Sequence, residues 1–263
     1  MSRQFYYLLH LQFLGFRYHG WQKQPNVKTV HEMLDRTLNY VLDGKVFKTL
    51  GASRTDAMVS AEHAAMELFV REELATDQLL KDLNENLPND IKVTQIEEVD
   101  ASFNIIQAAK LKQYLYLFSF GAKHHPFCAP LMTNIKEDLD ISSMMKGAQL
   151  FVGHHHLKHY CYQPKATTRF DREIRHAEIR ENDLFQANFF PEKSFLFEIH
   201  GDGFMRHQVR LMMGALFALG KGEIKLQDIQ LSLQEGHEPK WSIKMAPASG
   251  LMLYDISFEQ SNK

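Results

Sequence analysis

Phe5-Tyr6-Tyr7-Leu8-Leu9-His10-Leu11-Gln12-Phe13 sets Phe5, Tyr7, Leu9, Leu11 and Phe13 on one side, and Tyr6, Leu8, His10 and Gln12 on the other. That two-residue period belongs to a strand, so a sheet opens the fold. After the turn residues Gln24-Pro25-Asn26 comes Thr29-Val30-His31-Glu32, a capping box. Val30, Met33, Leu34, Leu38 and Val41 then recur at helical spacing. Strand-like stretches near 46–50 and 63–70 flank the small, polar Gly51-Ala52-Ser53-Arg54-Thr55-Asp56, which reads as a loop. A helix over 76–87, stopped by Pro88, and a strand over 91–99 complete a strand-helix-strand-strand-helix-strand order typical of α+β sandwiches.

The second half repeats this pattern loosely. Strands are predicted at 112–120, 172–181, 194–200 and 252–258, with a helix at 141–152 and an apolar helix from Phe204 to Leu219 closed by Gly220. The expected class is α+β, with two pseudo-duplicated halves sharing a continuous antiparallel sheet and a cleft between them. The first half, 1–108, carries the Asp56 loop; the second, 109–263, carries Tyr114 and Arg210.

The 263 residues suffice to bury a core without staples or metal, and 24% charged with 44% hydrophobic residues is the balance of an ordinary globular protein. A formal net charge of -2 argues against a generally basic, nucleic-acid-binding surface. Any RNA site must be a local patch, for which Arg169, Arg172, Arg175, Lys158, Lys165, Arg206 and Arg210 are the candidates. The N-terminus lacks a signal-peptide pattern and no apolar run reaches membrane-spanning length, so a cytoplasmic setting is expected. Cys128 and Cys161 stand far apart and are expected as free thiols.

Arg210 precedes Leu211-Met212-Met213-Gly214-Ala215-Leu216-Phe217, and an arginine in so apolar a helix needs a carboxylate partner. Asp56, on a small-residue loop of the other half, is the candidate, and the small residues around Arg54 and Asp56 would let a ligand approach the backbone closely. A salt bridge that merely supports a turn fits the same residues. Tyr114 shares a strand face with Tyr116, Phe118 and Phe120, which by itself reads as core. The histidines His154, His155, His156 and His159, with His124 and His125, raise a metal-site alternative, although no Glu stands between His155 and His159 as in a metalloprotease helix.

Three separated stretches together resemble the TruA-like tRNA pseudouridine synthase family: Tyr18-His19-Gly20-Trp21-Gln22-Lys23-Gln24 with Thr29-Val30, Gly51-Ala52-Ser53-Arg54-Thr55-Asp56-Ala57, and Phe204-Met205-Arg206-His207-Gln208-Val209-Arg210 with Met213-Gly214-Ala215-Leu216. Leu87-Pro88-Asn89-Asp90-Ile91, Tyr114-Leu115-Tyr116, Gly153-His154-His155 and Ala246-Pro247-Ala248-Ser249-Gly250-Leu251 are weaker matches in the family's order. The resemblance implies the pseudouridine synthase fold, normally a homodimer whose cleft accepts the anticodon arm of tRNA. It also implies isomerisation of uridine at positions 38, 39 and 40 without cofactor or metal. Asp56 matches the catalytic carboxylate, Tyr114 the aromatic that stacks on uracil, and Arg210 the pairing arginine. Arg54 matches the arginine that holds the flipped nucleotide's place, and Arg206 and Gln22, within the matching motifs, are further RNA-contact candidates. The chain departs from the family at Met58-Val59-Ser60, where Gly-Val-His is usual; at Asn104-Ile105-Ile106, where His-Ala-Arg is usual; and at His156-Leu157, where Asp-Phe is usual. These departures touch the RNA grip more than the reaction. A different RNA target, or a tRNA-binding protein without catalysis, is the alternative.

Overall fold

The structure, a computed structural model, describes residues 4–258. The described residues form a mixed α/β fold of ten strands, mostly antiparallel, and six α-helices, in agreement with the expected class. Two compact units divide it: Met1–Leu111 with Met252–Lys263, and Lys112–Leu251.

In the first unit, β1 (Phe5–Phe13) lies between β4 (Ile91–Val99) and β3 (Ser60–Val70), antiparallel to both. β2 (Phe47–Gly51) also pairs with β3, and β10 (Leu251–Phe258) joins β3 in parallel through Met252 and Leu253. The alternation of β1 is observed except at Leu8: Tyr7, Leu9, Leu11 and Phe13 are buried, while Tyr6, His10 and Gln12 are partly exposed and Leu8, on their side, is buried. α1 (Val30–Val41) starts at Thr29, whose hydroxyl accepts from the Glu32 amide at 3.3 Å. It buries Val30, His31, Leu34 and Leu38 and packs against α2 (Thr76–Asn86). α3 (Ile105–Ala108) follows β4 and escaped the sequence reading. Its start is fixed by Asn104, whose side-chain oxygen accepts from the Ile106 and Gln107 amides. Where the resemblance leads one to expect His and Arg, the chain has the cap Asn104 and Ile106, whose amide that cap receives.

In the second unit, the sheet order is β5 (Ala109–Phe120), β9 (Phe195–Gly201), β8 (Asp171–Glu181), β7 (Gly153–His156), with β6 (Thr133–Ile135) parallel to β5. α4 (Ile141–Gln149) covers β8 and packs on α5 (Gln208–Gly220); α6 (Leu226–Ser232) follows. α5 is the core of the unit, with most of its residues buried. It begins at Gln208 rather than Phe204, because His207 takes a left-handed conformation at φ 57° that a continuing helix cannot adopt. Gln208 closes that turn: its side-chain oxygen accepts from the Met205 amide at 2.8 Å. Leu157, standing where the family has Phe, is fully buried, and the His156 ring reaches Asp171 at 3.1 Å. Both cysteines are free, as expected. Among the described residues no helix is long and apolar enough to cross a membrane.

Candidate active site

The loop bearing Asp56 is built from two sequence stretches, and the Tyr18–Trp21 motif is what holds it. The Trp21 amide donates to the Thr55 carbonyl at 3.1 Å, and the Met58 amide donates to the Tyr18 carbonyl at 3.0 Å. Within the loop, the Val59 amide returns to the Asp56 carbonyl at 3.2 Å. The loop is thus gripped on both flanks of Asp56 by backbone bonds. Gly20, at φ 86°, permits the approach: a Cβ there would lie 2.7 Å from the Thr55 oxygen and 3.0 Å from the Asp56 carbonyl carbon.

The motif is itself anchored in the first unit's core. Trp21 is 3% exposed, stacks on His31 at 5.4 Å, and lies against Gly51. His31 continues the chain of contacts to Thr49 (2.8 Å), and the Thr49 hydroxyl donates to Asp35 (2.7 Å). Tyr18 donates to Asp90 at 2.7 Å, and burial together with this bond pushes its phenol up to about 12, so it stays a donor at neutral pH. Asp90 also receives Arg17. This ties the weak Pro88-Asn89-Asp90 match to the loop through a physical chain.

Two of the departures from the family have structural readings. Met58 occupies φ 67°, the left-handed region that suits the family's glycine. Ser60, standing where the family has His, is buried and accepts from the Gly15 amide at 3.0 Å. Arg54 is exposed and makes no ion pair among the described residues, and Gln22 is exposed beside the buried Trp21. Both side chains reach the surface of this unit.

In the second unit, Tyr114 lies in β5 opposite Ile199, 7% exposed, with its ring edge-on to Phe204 at 5.2 Å. Tyr116 and Phe118, further along the same face, pack on Phe217 of α5, as the core reading expected. Arg210 is half-buried in the first turn of α5. Its Nε donates to the Ala246 carbonyl at 2.9 Å, and the Ala246 amide returns to the Arg210 carbonyl at 3.0 Å. The weak Ala246-Pro247 match therefore acts as the brace that orients the guanidinium. Gly214, one turn on, makes room for that brace: a Cβ would stand 1.9 Å from the Lys244 oxygen. Arg206 is exposed and lies over the Tyr162 ring at 5.2 Å while donating to Gln163, and Tyr162 in turn touches His207. An arginine on an aromatic ring at the surface presents both charge and a stacking face.

The other basic candidates divide. Lys158 pairs with Glu238 and Arg175 with Asp202, which makes them surface ion pairs. The suspected metal histidines also go separate ways: His155 meets the Val152 carbonyl, His159 the His237 carbonyl, His154 Glu173 and His156 Asp171. Sequence reasoning gave no signal for the clamping role of Tyr18 and Trp21, because it consists of main-chain bonds between stretches more than thirty positions apart.

A family model described as tRNA pseudouridine synthase matches residues 10–106 and 148–259. Over 94% of this chain and 97% of the relative, the chain is 30% identical to "tRNA pseudouridine synthase A" of Acetivibrio thermocellus. It is 29% identical to the protein of the same name from Thermodesulfovibrio yellowstonii, again over 94% and 97%. To "tRNA pseudouridine synthase A 2" of Bacillus cereus it is 29% identical over 96% of this chain and 99% of the relative. The chain belongs to the tRNA pseudouridine synthase family. Its reaction class is therefore an isomerisation, the conversion of uridine to pseudouridine in tRNA.

Proposed function

We propose that Asp56 is the catalytic carboxylate of this isomerisation and that the target uridines lie in the anticodon stem-loop, at positions 38, 39 and 40. The observation that carries the assignment is the doubly clamped loop, which fixes the backbone around Asp56 through Trp21 and Tyr18. A loop backbone held in this way can present its carboxylate to a reacting carbon without rearranging.

The reaction is balanced without any co-reactant. The N1–C1′ bond breaks, uracil turns, C5 bonds to C1′, and the C5 proton leaves while N1 gains one. Ionised Asp56 serves either as nucleophile at C1′ or as base at C2′. Tyr114 supplies the stacking face for a uracil taken out of the helix, a contact worth about 1–3 kcal/mol per base. It also relays the proton from C5. Arg210 fills the place of the family's active-site arginine, its planar fork held by Ala246. Arg54, Arg206 and Gln22 contact the RNA, Arg206 with its Tyr162 platform. By the same resemblance the protein works as a cytoplasmic homodimer on the anticodon arm of tRNA.

Unmodified tRNA carrying tritium at uracil C5 tests the assignment. Native protein releases tritium; Asp56→Asn, folded by circular dichroism, releases none. Release by the variant at the native rate removes Asp56 as catalyst, and release without pseudouridine at 38, 39 or 40 moves the target.

A further inference from the structure

On β8 and β9 four metal-competent side chains face one another in two like pairs. The antiparallel register sets His176 opposite His200 and Glu178 opposite Glu198. The two-residue period puts all four on one sheet face, while Ala177, Ile179, Phe197 and Ile199 bury the other. The imidazole rings lie 4.8 Å apart. His176 Nε2 stands 3.5 Å from Glu178 Oε1, and His200 Nε2 stands 2.8 Å from Glu198 Oε1. One ligand atom each from His176, Glu178 and Glu198 falls within 4.8 Å of the others, the one such group of three among the described residues.

Two carboxylates directly opposite on a ladder repel, and the local cation offsets this only in part. Arg180, next on the same face, reaches Glu198 Oε2 at 3.2 Å and Glu178 Oε1 at 3.7 Å, but it is shared with Asp183. It leaves Glu198 Oε1 to His200. The side chains of His176 and Glu178 are 37% and 38% exposed, so a hydrated ion can enter, while Glu198 and His200 at 19% and 20% are held more firmly.

We propose that His176, Glu178, Glu198 and His200 form a binding site for a divalent transition-metal ion, of which Zn²⁺ is the best match, tying β8 to β9. Two imidazole nitrogens with two carboxylate oxygens are a borderline donor set, suited to Zn²⁺ rather than to the all-oxygen preference of Mg²⁺ or Ca²⁺. Zinc–ligand bonds of about 2.0–2.2 Å set neighbouring donors about 3.3 Å apart in a tetrahedron. His176, Glu178 and Glu198 already offer donors within 4.8 Å of one another, and His200, now bonded to Glu198 Oε1 at 2.8 Å, completes the set by turning its ring to the ion. Four protein ligands close the shell, so the ion is structural and stabilises the folded unit by its binding free energy. Nothing in the isomerisation requires it.

The test uses the full chain stripped with chelator, titrated with Zn²⁺ by calorimetry and with Co²⁺ by visible absorption. The expected result is one site per chain, a tetrahedral Co²⁺ spectrum, no competition from Mg²⁺, and a rise in melting temperature on adding Zn²⁺. His176→Ala with His200→Ala should lose the Co²⁺ spectrum and weaken Zn²⁺ binding by at least about tenfold. Should that pair fail to fold, Glu178→Gln reads the same loss. Arg180→Gln, which removes the competing cation, should tighten binding, and His154→Ala with His155→Ala should leave it unchanged. Absence of binding by the native chain overturns the proposal. So does unchanged affinity in a folded ligand variant, since the other histidines then account for the metal.

Discussion

The Trp21 amide and the Thr55 carbonyl, 3.1 Å apart, join the N-terminal motif to the residue immediately before Asp56. Gly20, just before Trp21, is the point where this joint is most sensitive. Gly20→Ala adds both a left-handed strain of about 1–2 kcal/mol and a collision with the Thr55 oxygen. Turnover should fall by about 100-fold, the scale of an ångström's misplacement at a reacting centre. Gly44→Ala is the matched control: φ is 72°, but among the described residues nothing lies within 4 Å of the new carbon. It should lower the melting temperature while tritium release stays native.

Met58 carries the same kind of strain by nature. At φ 67° and 37% exposed, its side chain gives little packing in return. Met58→Gly should raise stability by about 0.5–1 kcal/mol, the left-handed penalty less glycine's extra chain entropy. Urea denaturation should show a higher midpoint with an unchanged slope.

Glu67, 1% exposed in β3, accepts from the Ile105 amide with one oxygen, while the other has no hydrogen-bond partner among the described residues. Burial holds its carboxyl above the ordinary 4.5, opposed by the Ile105 bond and by Lys48. A folded-state value above the unfolded one means a stability contribution present at low pH and lost as pH rises through the folded value. Glu67→Gln should therefore melt higher than the native chain near pH 8, with the gain vanishing near pH 4, in paired thermal scans.

Gly214→Ala would drive a methyl group to 1.9 Å from the Lys244 oxygen and push the 244–246 segment off α5. Overpacking of this kind costs about 1–3 kcal/mol. Because Ala246 braces Arg210, turnover should fall further than the melting temperature suggests. Turnover that simply follows the folded fraction would show that the brace is dispensable.

Much of the fold was legible because periodicity and capping are local. Phe5–Phe13 alternates as read, and Thr29 caps α1 where the box placed it. The apolar helix was found but begun four residues early, since nothing in Phe204-Met205-Arg206-His207 announces that His207 turns left-handed. α3 and α6 are four and seven residues long, too short to show a helical period. The proposed site residues were picked out by motif order, whereas the contacts that hold them were not foreseen. The clamp on Asp56 and the brace on Arg210 are main-chain and glycine-clearance effects, which depend on which stretches meet in space.

The burial of Trp21 also supplies an optical probe. Trp21 and Trp241 are the chain's two tryptophans, so Trp241→Phe leaves one indole, lodged against Gly51 and stacked on His31. Its fluorescence then reports on the segment whose next bond is to Thr55. Burial keeps the His31 imidazole neutral to lower pH than usual, so quenching by its protonated ring is suppressed near neutrality. A change in emission on adding tRNA would therefore reveal, in real time and without a label, whether the Asp56 loop stays rigid or shifts as RNA arrives.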